Sequence, residues 1–248
     1  MIDKEKLLSD FFGNNYHKPM VVAPEEFMVI QKNGIMDLET LLEFETLVSE
    51  RIPNGCFIII NDEQVNAFAM KKNDISVVAI NAGSIKKIMY SANLMMLSDK
   101  ILLGIGDMSA CRENIIAEEY PITEDGDNVL LYISGDSTRE AVGYMIANLA
   151  VRFMLYHEIG HHEEGHVERL NDKYSLFCKE VSNDKERIEL EERKKMEFEA
   201  DMYAMTQIVN DFEILAEIWG KVLNLEVTYS EMFQLLVPAL VIVKENLG

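Results

Sequence analysis

Four of the five histidines in this 248-residue chain fall within ten residues: His157-Glu158-Ile159-Gly160-His161-His162-Glu163-Glu164-Gly165-His166. The pattern His-Glu-x-x-His occurs there twice, at His157–His161 and at His162–His166. On a helix, residues i and i+4 are separated by about 40° of rotation and about 6 Å, so two imidazoles at that spacing converge on one ion. Glu158 lies about 100° round from His157, where its carboxylate can reach a water beside the ion without ligating the ion itself. Zinc lowers the pKa of such a water towards ~7, and a carboxylate can then take its proton. Metal-assisted hydrolysis is the chemistry these residue types suit.

The two copies differ in their surroundings. The first follows the apolar run Ile146–Leu155 and holds Ile159 and Gly160 between its histidines, as a helix buried on that face requires. The second has Glu164 in that slot and then meets the helix-breaking Gly165. His162 and His166 therefore read as residues of a polar C-terminal turn, where the helix dipole favours cations. His157 and His161 are the expected ligand pair. Catalytic zinc takes three protein ligands, and Met196-Glu197-Phe198-Glu199-Ala200-Asp201 can supply the third. Glu197 and Asp201 share a helix face, whereas Glu199 points elsewhere. Glu197 would complete a His2Glu set, and Asp201 would accept the ring N–H of a ligand histidine and set its tautomer. Acids on a solvated helix face need no function; the upstream motif is what singles out these two.

His157-Glu158-Ile159-Gly160-His161 followed by Glu197-Phe198-Glu199-Ala200-Asp201 resembles the gluzincin zinc metallopeptidases. The second segment is similar to that of the CAAX-prenyl-protease and HtpX-type enzymes. Val65-Asn66-Ala67-Phe68-Ala69 resembles the strand beside the active-site cleft of the same group. The chain shows none of the transmembrane helices of those enzymes, and in this it looks more like the soluble phage-exclusion (Lit-type) peptidases. The resemblance covers about residues 57–82 and 140–210. It implies a soluble zinc-dependent endopeptidase with Glu158 as general base, zinc on His157, His161 and Glu197, and Asp201 behind a ligand. A substrate strand would add to the sheet edge around Asn66–Met70. No histidine follows His166, so the downstream histidine that stabilises the oxyanion in some gluzincins is absent. Tyr203, Tyr229, Arg193 or a backbone group remain open for that role. A non-catalytic zincin-fold regulatory or binding protein is the alternative.

The elements that must position these residues read as α+β: a mostly helical zincin-like domain with a small β-sheet before the HExxH helix. One domain over 1–248 is expected, with a helix and sheet part at 1–136 and a helical part carrying the zinc site at 137–248. A helix is expected from Asp37 to near Pro53, strands at Cys56–Ile60, Asn66–Met70 and Ile75–Ile80 with a turn at Lys71–Asp74, and a helix from Ser84 to about Leu103. Residues 104–128 read as irregular. Ser137-Thr138-Arg139-Glu140 reads as a capping box for a helix to Glu164, with Gly165 as its stop. Asn183-Asp184-Lys185-Glu186 reads as a second box, for a helix to about Asn210. A separate helix over 211–223 and one after Ser230, bent at Pro238, complete the chain.

Composition bounds the partners. A net charge of -20 repels phosphate backbones, so nucleic acid is not an expected partner, and a protein or peptide substrate is what the resemblance implies. Cys56, Cys111 and Cys178 have no metal or disulfide spacing and suit a reducing, cytoplasmic setting. The acidic start Met1–Lys6 does not read as a signal peptide, and the apolar run 235–243 is shorter than a membrane span. Gly104-Ile105-Gly106 is no nucleotide fingerprint, and Glu118-Glu119 with Glu124, Asp125 and Asp127 lack EF-hand spacing. His17 is assigned no role.

Overall fold

The computed structural model describes residues 3–12, 21–22, 38–72, 74–101, 104–113, 116–121, 128–171, 184–223 and 226–247. His17, Asn73, Glu124, Asp125, Asp127, Cys178 and Asn183 of the second capping box lie outside the described residues. The elements are α1 (Lys4–Phe12), β1 (Val21–Val22), α2 (Leu38–Arg51), β2 (Gly55–Ile60), β3 (Ala67–Lys72), β4 (Ile75–Asn81) and α3 (Ala82–Met96). They continue as α4 (Met108–Glu113), β5 (Ile116–Pro121), β6 (Asn128–Ile133), α5 (Ser137–Glu163), α6 (His166–Asn171), α7 (Asp184–Leu223) and α8 (Tyr229–Leu247). The architecture is α+β, mostly helical, with its main sheet ahead of the long helices.

That sheet runs in the order β1-β2-β4-β3. Strands β2 and β4 are parallel and central, which is why both are nearly continuous apolar runs. Alternation divides their side chains between two faces. Phe57, Ile59, Val78 and Ile80 join the main core with the helices, while Cys56, Ile58, Val77 and Ala79 pack with Leu7 and Leu8 of α1. Strand β3 pairs antiparallel with β4 on one side only and forms an edge of the sheet. Asn81 donates its N–H to the Asn66 carbonyl at 3.0 Å. By the antiparallel alternation, Ala67 and Ala69 then turn their backbone groups outward, away from β4.

Helix α5 runs through the main core. Its residues Leu149, Ala150, Val151, Leu155 and Ile159 are fully buried, and α7 packs along it through Met196, Ala200, Ala204, Ile208 and Phe212 at helical spacing. At the crossing, a Cβ added to Gly160 would meet Ala200 Cα and Tyr203 Cβ at 3.2 Å each. Arg51 of α2 joins the pair from one side, donating to Tyr203 Oη at 3.3 Å and Gln207 Oε1 at 2.7 Å on α7 and lying over the Tyr156 ring of α5 at 5.3 Å.

Four expectations are corrected. Helix α5 is capped by Asp136, not Ser137: the Asp136 carboxylate accepts from the Arg139 N–H at 2.9 Å, and Ser137 is already helical. Helix α3 stops at Met96, because the carbonyls beyond its end are taken by a buried guanidinium. Arg139 donates to the carbonyls of Met96 at 2.6 Å, Ser98 at 2.8 Å and Ile105 at 2.7 Å. The stretch read as irregular contains α4 and β5, and β5 pairs antiparallel with β6, which begins at the end of that stretch; the pairing is decided between strands, and Glu118-Glu119 and Pro121 hide it locally. Helix α7 continues through Asn210 and Asp211 without a break, and Asp211 accepts the hydroxyl of Tyr156 on α5.

Arg139 generates the first prediction. Replacing it with Met keeps much of the volume but leaves several buried carbonyls without donors, each costing ~1–3 kcal/mol. Arg139→Met should lower unfolding free energy by about 3 kcal/mol or more in urea titration, with the Asp136 cap left in place.

Candidate metal centre

The last turns of α5 and the middle of α7 meet around three donors. His157 Nε2 lies 3.1 Å from Glu197 Oε2 and 3.1 Å from His161 Nε2, and His161 Nε2 lies 3.7 Å from Glu197 Oε2. Three donors each about 2.0–2.1 Å from one tetrahedral ion stand about 3.3 Å apart. The triangle therefore fits a metal ion of that size, and among the described residues it is the one group of this kind. Both imidazoles are largely sheltered, whereas the Glu197 side chain is 60% exposed, so the cluster opens to solvent on that side.

Charge reinforces the arrangement. Burial pulls the His157 pKa down, but hydrogen bonds to Asp201 and Glu197 outweigh it and lift the pKa to about 10. The hydrogen bond from His157 and the nearby His161 imidazole hold the Glu197 carboxyl far below the usual carboxylate range. A metal must displace the proton on His157 Nε2, so uptake is coupled to proton release.

Asp201 sits where the helical register expects it. Its Oδ1 lies 2.8 Å from His157 Nδ1 and accepts that N–H, leaving Nε2 to face the cluster. Glu158 is buried and is not part of the donor triangle. Its carboxylate accepts the outward N–H of Ala69 on β3; burial raises its pKa, and the two imidazoles pull it back.

The second histidine pair departs from the reading of a polar turn. His162 Nε2 lies 3.0 Å from the Val77 carbonyl and donates to it, pinning α5 to β4. His166 is fully buried. Gly165, at φ 68, ends α5 in a left-handed turn and brings His166 back beside His161. The Nδ1 atoms of His161 and His166 are 3.0 Å apart, and His166 Nε2 is 3.1 Å from Glu199 Oε2. Glu199 does point away from Glu197, but toward a histidine and not toward open solvent. Sequence spacing offered no signal for this contact, because it depends on a turn and on an interhelical crossing.

Of the side chains left open for an oxyanion role, Tyr203 accepts from Arg51, and Tyr229 donates to the Val209 carbonyl at 3.3 Å. Arg193 is half-buried one turn before Glu197. None of the three makes a hydrogen bond within the cluster among the described residues.

Residues 114–219 match the family model described as Peptidase U49. That stretch carries all of α5 and α6 and most of α7, and so every residue of the cluster. The match supports a peptidase, and a peptidase acts on protein or peptide substrates. Comparisons with curated proteins and with solved structures gave no match. No helix among the described residues is long and apolar enough to cross a membrane.

The approach of α5 to α7 at Gly160 generates the next prediction. A branched side chain there has to push Ala200 and Tyr203 away, and overpacking of this kind costs typically ~1–3 kcal/mol. Gly160→Val should lower stability by about that amount in urea titration. It should also weaken metal uptake, measured by dialysis and elemental analysis, although every donor is retained.

Proposed function

We propose that this chain is a zinc-dependent endopeptidase of the gluzincin arrangement, with zinc on His157, His161 and Glu197 and Glu158 as general base. The observation that carries this reading is the triangle of two imidazole nitrogens and one carboxylate oxygen, with a buried carboxylate beside it that belongs to no ligand set. Zinc, when bound, supplies a Lewis acid that acidifies water and polarises a carbonyl. The chain's own residues do the rest. Asp201 holds the His157 ring through its Nδ1–H. The Glu158 carboxylate takes a proton from the attacking water as the C–O bond forms. It then returns that proton to the amide nitrogen as the C–N bond breaks, so water is added across the peptide bond. Burial raises the pKa of this carboxylate, which strengthens it as a proton acceptor.

The outward backbone groups of Ala67 and Ala69 lie on the free edge of β3, against the catalytic helix. With the Ala69 N–H on Glu158 and the Ala67 N–H on Asn66 Oδ1 at 3.0 Å, it is their outward carbonyls that support docking of an extended substrate along this edge. The buried, unpaired Cys56 and Cys111 support a reducing, cytoplasmic setting.

Two measurements test the proposal. Purified protein should carry about one zinc per chain by elemental analysis. His157→Ala, His161→Ala and Glu197→Ala should each lose it, and Asp201→Ala should weaken zinc affinity about 10–100-fold. Zinc retained in all three ligand variants would sink the site assignment. Glu158→Gln keeps shape and a hydrogen-bonding group but removes the base. It should retain zinc and thermal stability while abolishing cleavage of casein or a peptide library; cleavage persisting in that variant would refute the role of Glu158. Zinc binding without cleavage in the wild-type protein would instead favour a non-catalytic zincin-fold binding protein.

A further inference from the structure

The two ligand imidazoles are supported differently. His157 has a carboxylate directly on its remote nitrogen, Asp201 Oδ1 at 2.8 Å. His161 has no carboxylate there; its Nδ1 faces His166 Nδ1 at 3.0 Å, and the far nitrogen of His166 faces Glu199 Oε2 at 3.1 Å. We propose that His166 and Glu199 form a positioning relay for His161, a longer counterpart of the direct Asp201–His157 contact. The inference rests on the metal reading above and extends it to two residues outside the ligand set.

The proton positions follow from the chemistry of neutral imidazole, which has one donor and one acceptor nitrogen. A metal on His161 Nε2 uses that lone pair, so the ring proton sits on Nδ1. His161 Nδ1–H then donates to His166 Nδ1, which must carry a free lone pair. The His166 proton is therefore on Nε2, where it donates to the Glu199 carboxylate. Each member has the partner its tautomer needs, and the negative end of the chain is Glu199.

The fold places each member independently of the others. At about 100° per residue, Glu199 and Asp201 lie on opposite flanks of Ala200, the residue that touches Gly160 of α5. One flank thus reaches His157 and the other reaches toward α6. The left-handed turn at Gly165 delivers His166 into a fully buried place between His161 and Glu199. A buried imidazole with both nitrogens engaged is well suited to hold a neighbouring ring, because it has few alternative hydrogen bonds to make.

The test compares zinc affinity by chelator competition with thermal stability of the metal-free protein, for wild type and variants. His166→Phe keeps an aromatic ring but removes the acceptor for His161 Nδ1–H. It should weaken zinc binding about 10–100-fold, the range found when such outer partners of metal ligands are removed. His166→Asn should recover part of the loss, because its amide oxygen can accept at about the place of Nδ1. Glu199→Gln should cost less than Glu199→Ala, since an amide oxygen still accepts from His166 Nε2–H. Nitrogen-15 NMR of the zinc-loaded wild type should show His166 protonated on Nε2 and His161 on Nδ1, a readout that packing alone would not determine. Wild-type affinity in His166→Phe, or His166 protonated on Nδ1, would overturn the relay while leaving the metal reading in place. If His166→Phe fails to fold, the Glu199 pair and the tautomer of the wild-type protein decide in the same way. A wild type that binds no zinc would overturn the metal reading and the relay together.

Discussion

The close approach of α5 and α7 at Gly160 and Ala200 is the constraint on which the rest of the site depends. Two donors sit on one helix and the third on another, so the triangle exists only if the backbones come near enough for a short carboxylate side chain to span the gap. A glycine opposite an alanine permits this, with only 3.2 Å between a would-be Cβ on one helix and Ala200 Cα on the other. Larger residues take over further along the same seam, at Ile208, Phe212 and Trp219 of α7. The small residues thus let the helices approach beside the donor triangle. Stability of the seam comes mainly from the buried apolar residues beyond the cluster, and the polar groups are carried into position by it.

Electrostatics gives the donor cluster its direction. Glu197, Asp201, Glu199 and Glu158 surround three imidazoles, and negative charge of that density favours a divalent cation over an empty cluster. Without a cation, His157 keeps its charge through Asp201 and Glu197 despite burial, and the same carboxylates that stabilise that proton are those that would hold a metal. The three acids other than Glu158 are accessible to solvent to differing degrees, which limits their desolvation cost. Glu158 is the one acid taken deep inside, and it is compensated by a backbone donor from the sheet.

The sheet therefore has two functions at the site. Its edge strand donates the Ala69 N–H to Glu158 and keeps further outward groups at Ala67 and Ala69 alongside the helix. Its neighbour β4 takes the proton of His162 on the Val77 carbonyl. Helix and sheet are joined by polar contacts on both sides of the donor pair, so rotation of α5 about its axis would break them together.

Much of this was legible from residue order alone. The i, i+4 spacing of His157 with His161 and of Glu197 with Asp201 is set by the helical period, which any helix obeys wherever it packs. The apolar runs of β2 and β4 read as strands for a similarly local reason, their β-branched composition, while their central place in the sheet came only with the pairing. What local pattern could not carry was every relation between elements. The early end of α3 on Arg139 and the β5–β6 pairing each depend on a partner in another element, whereas the Asp136 cap is a local choice between neighbouring residues that residue type alone left open. The burial of His166 and its contact with Glu199 were undecidable from spacing, because they require the Gly165 turn and the Gly160–Ala200 crossing at once. Helical period decides which residues of one segment share a face; only packing decides what that face meets.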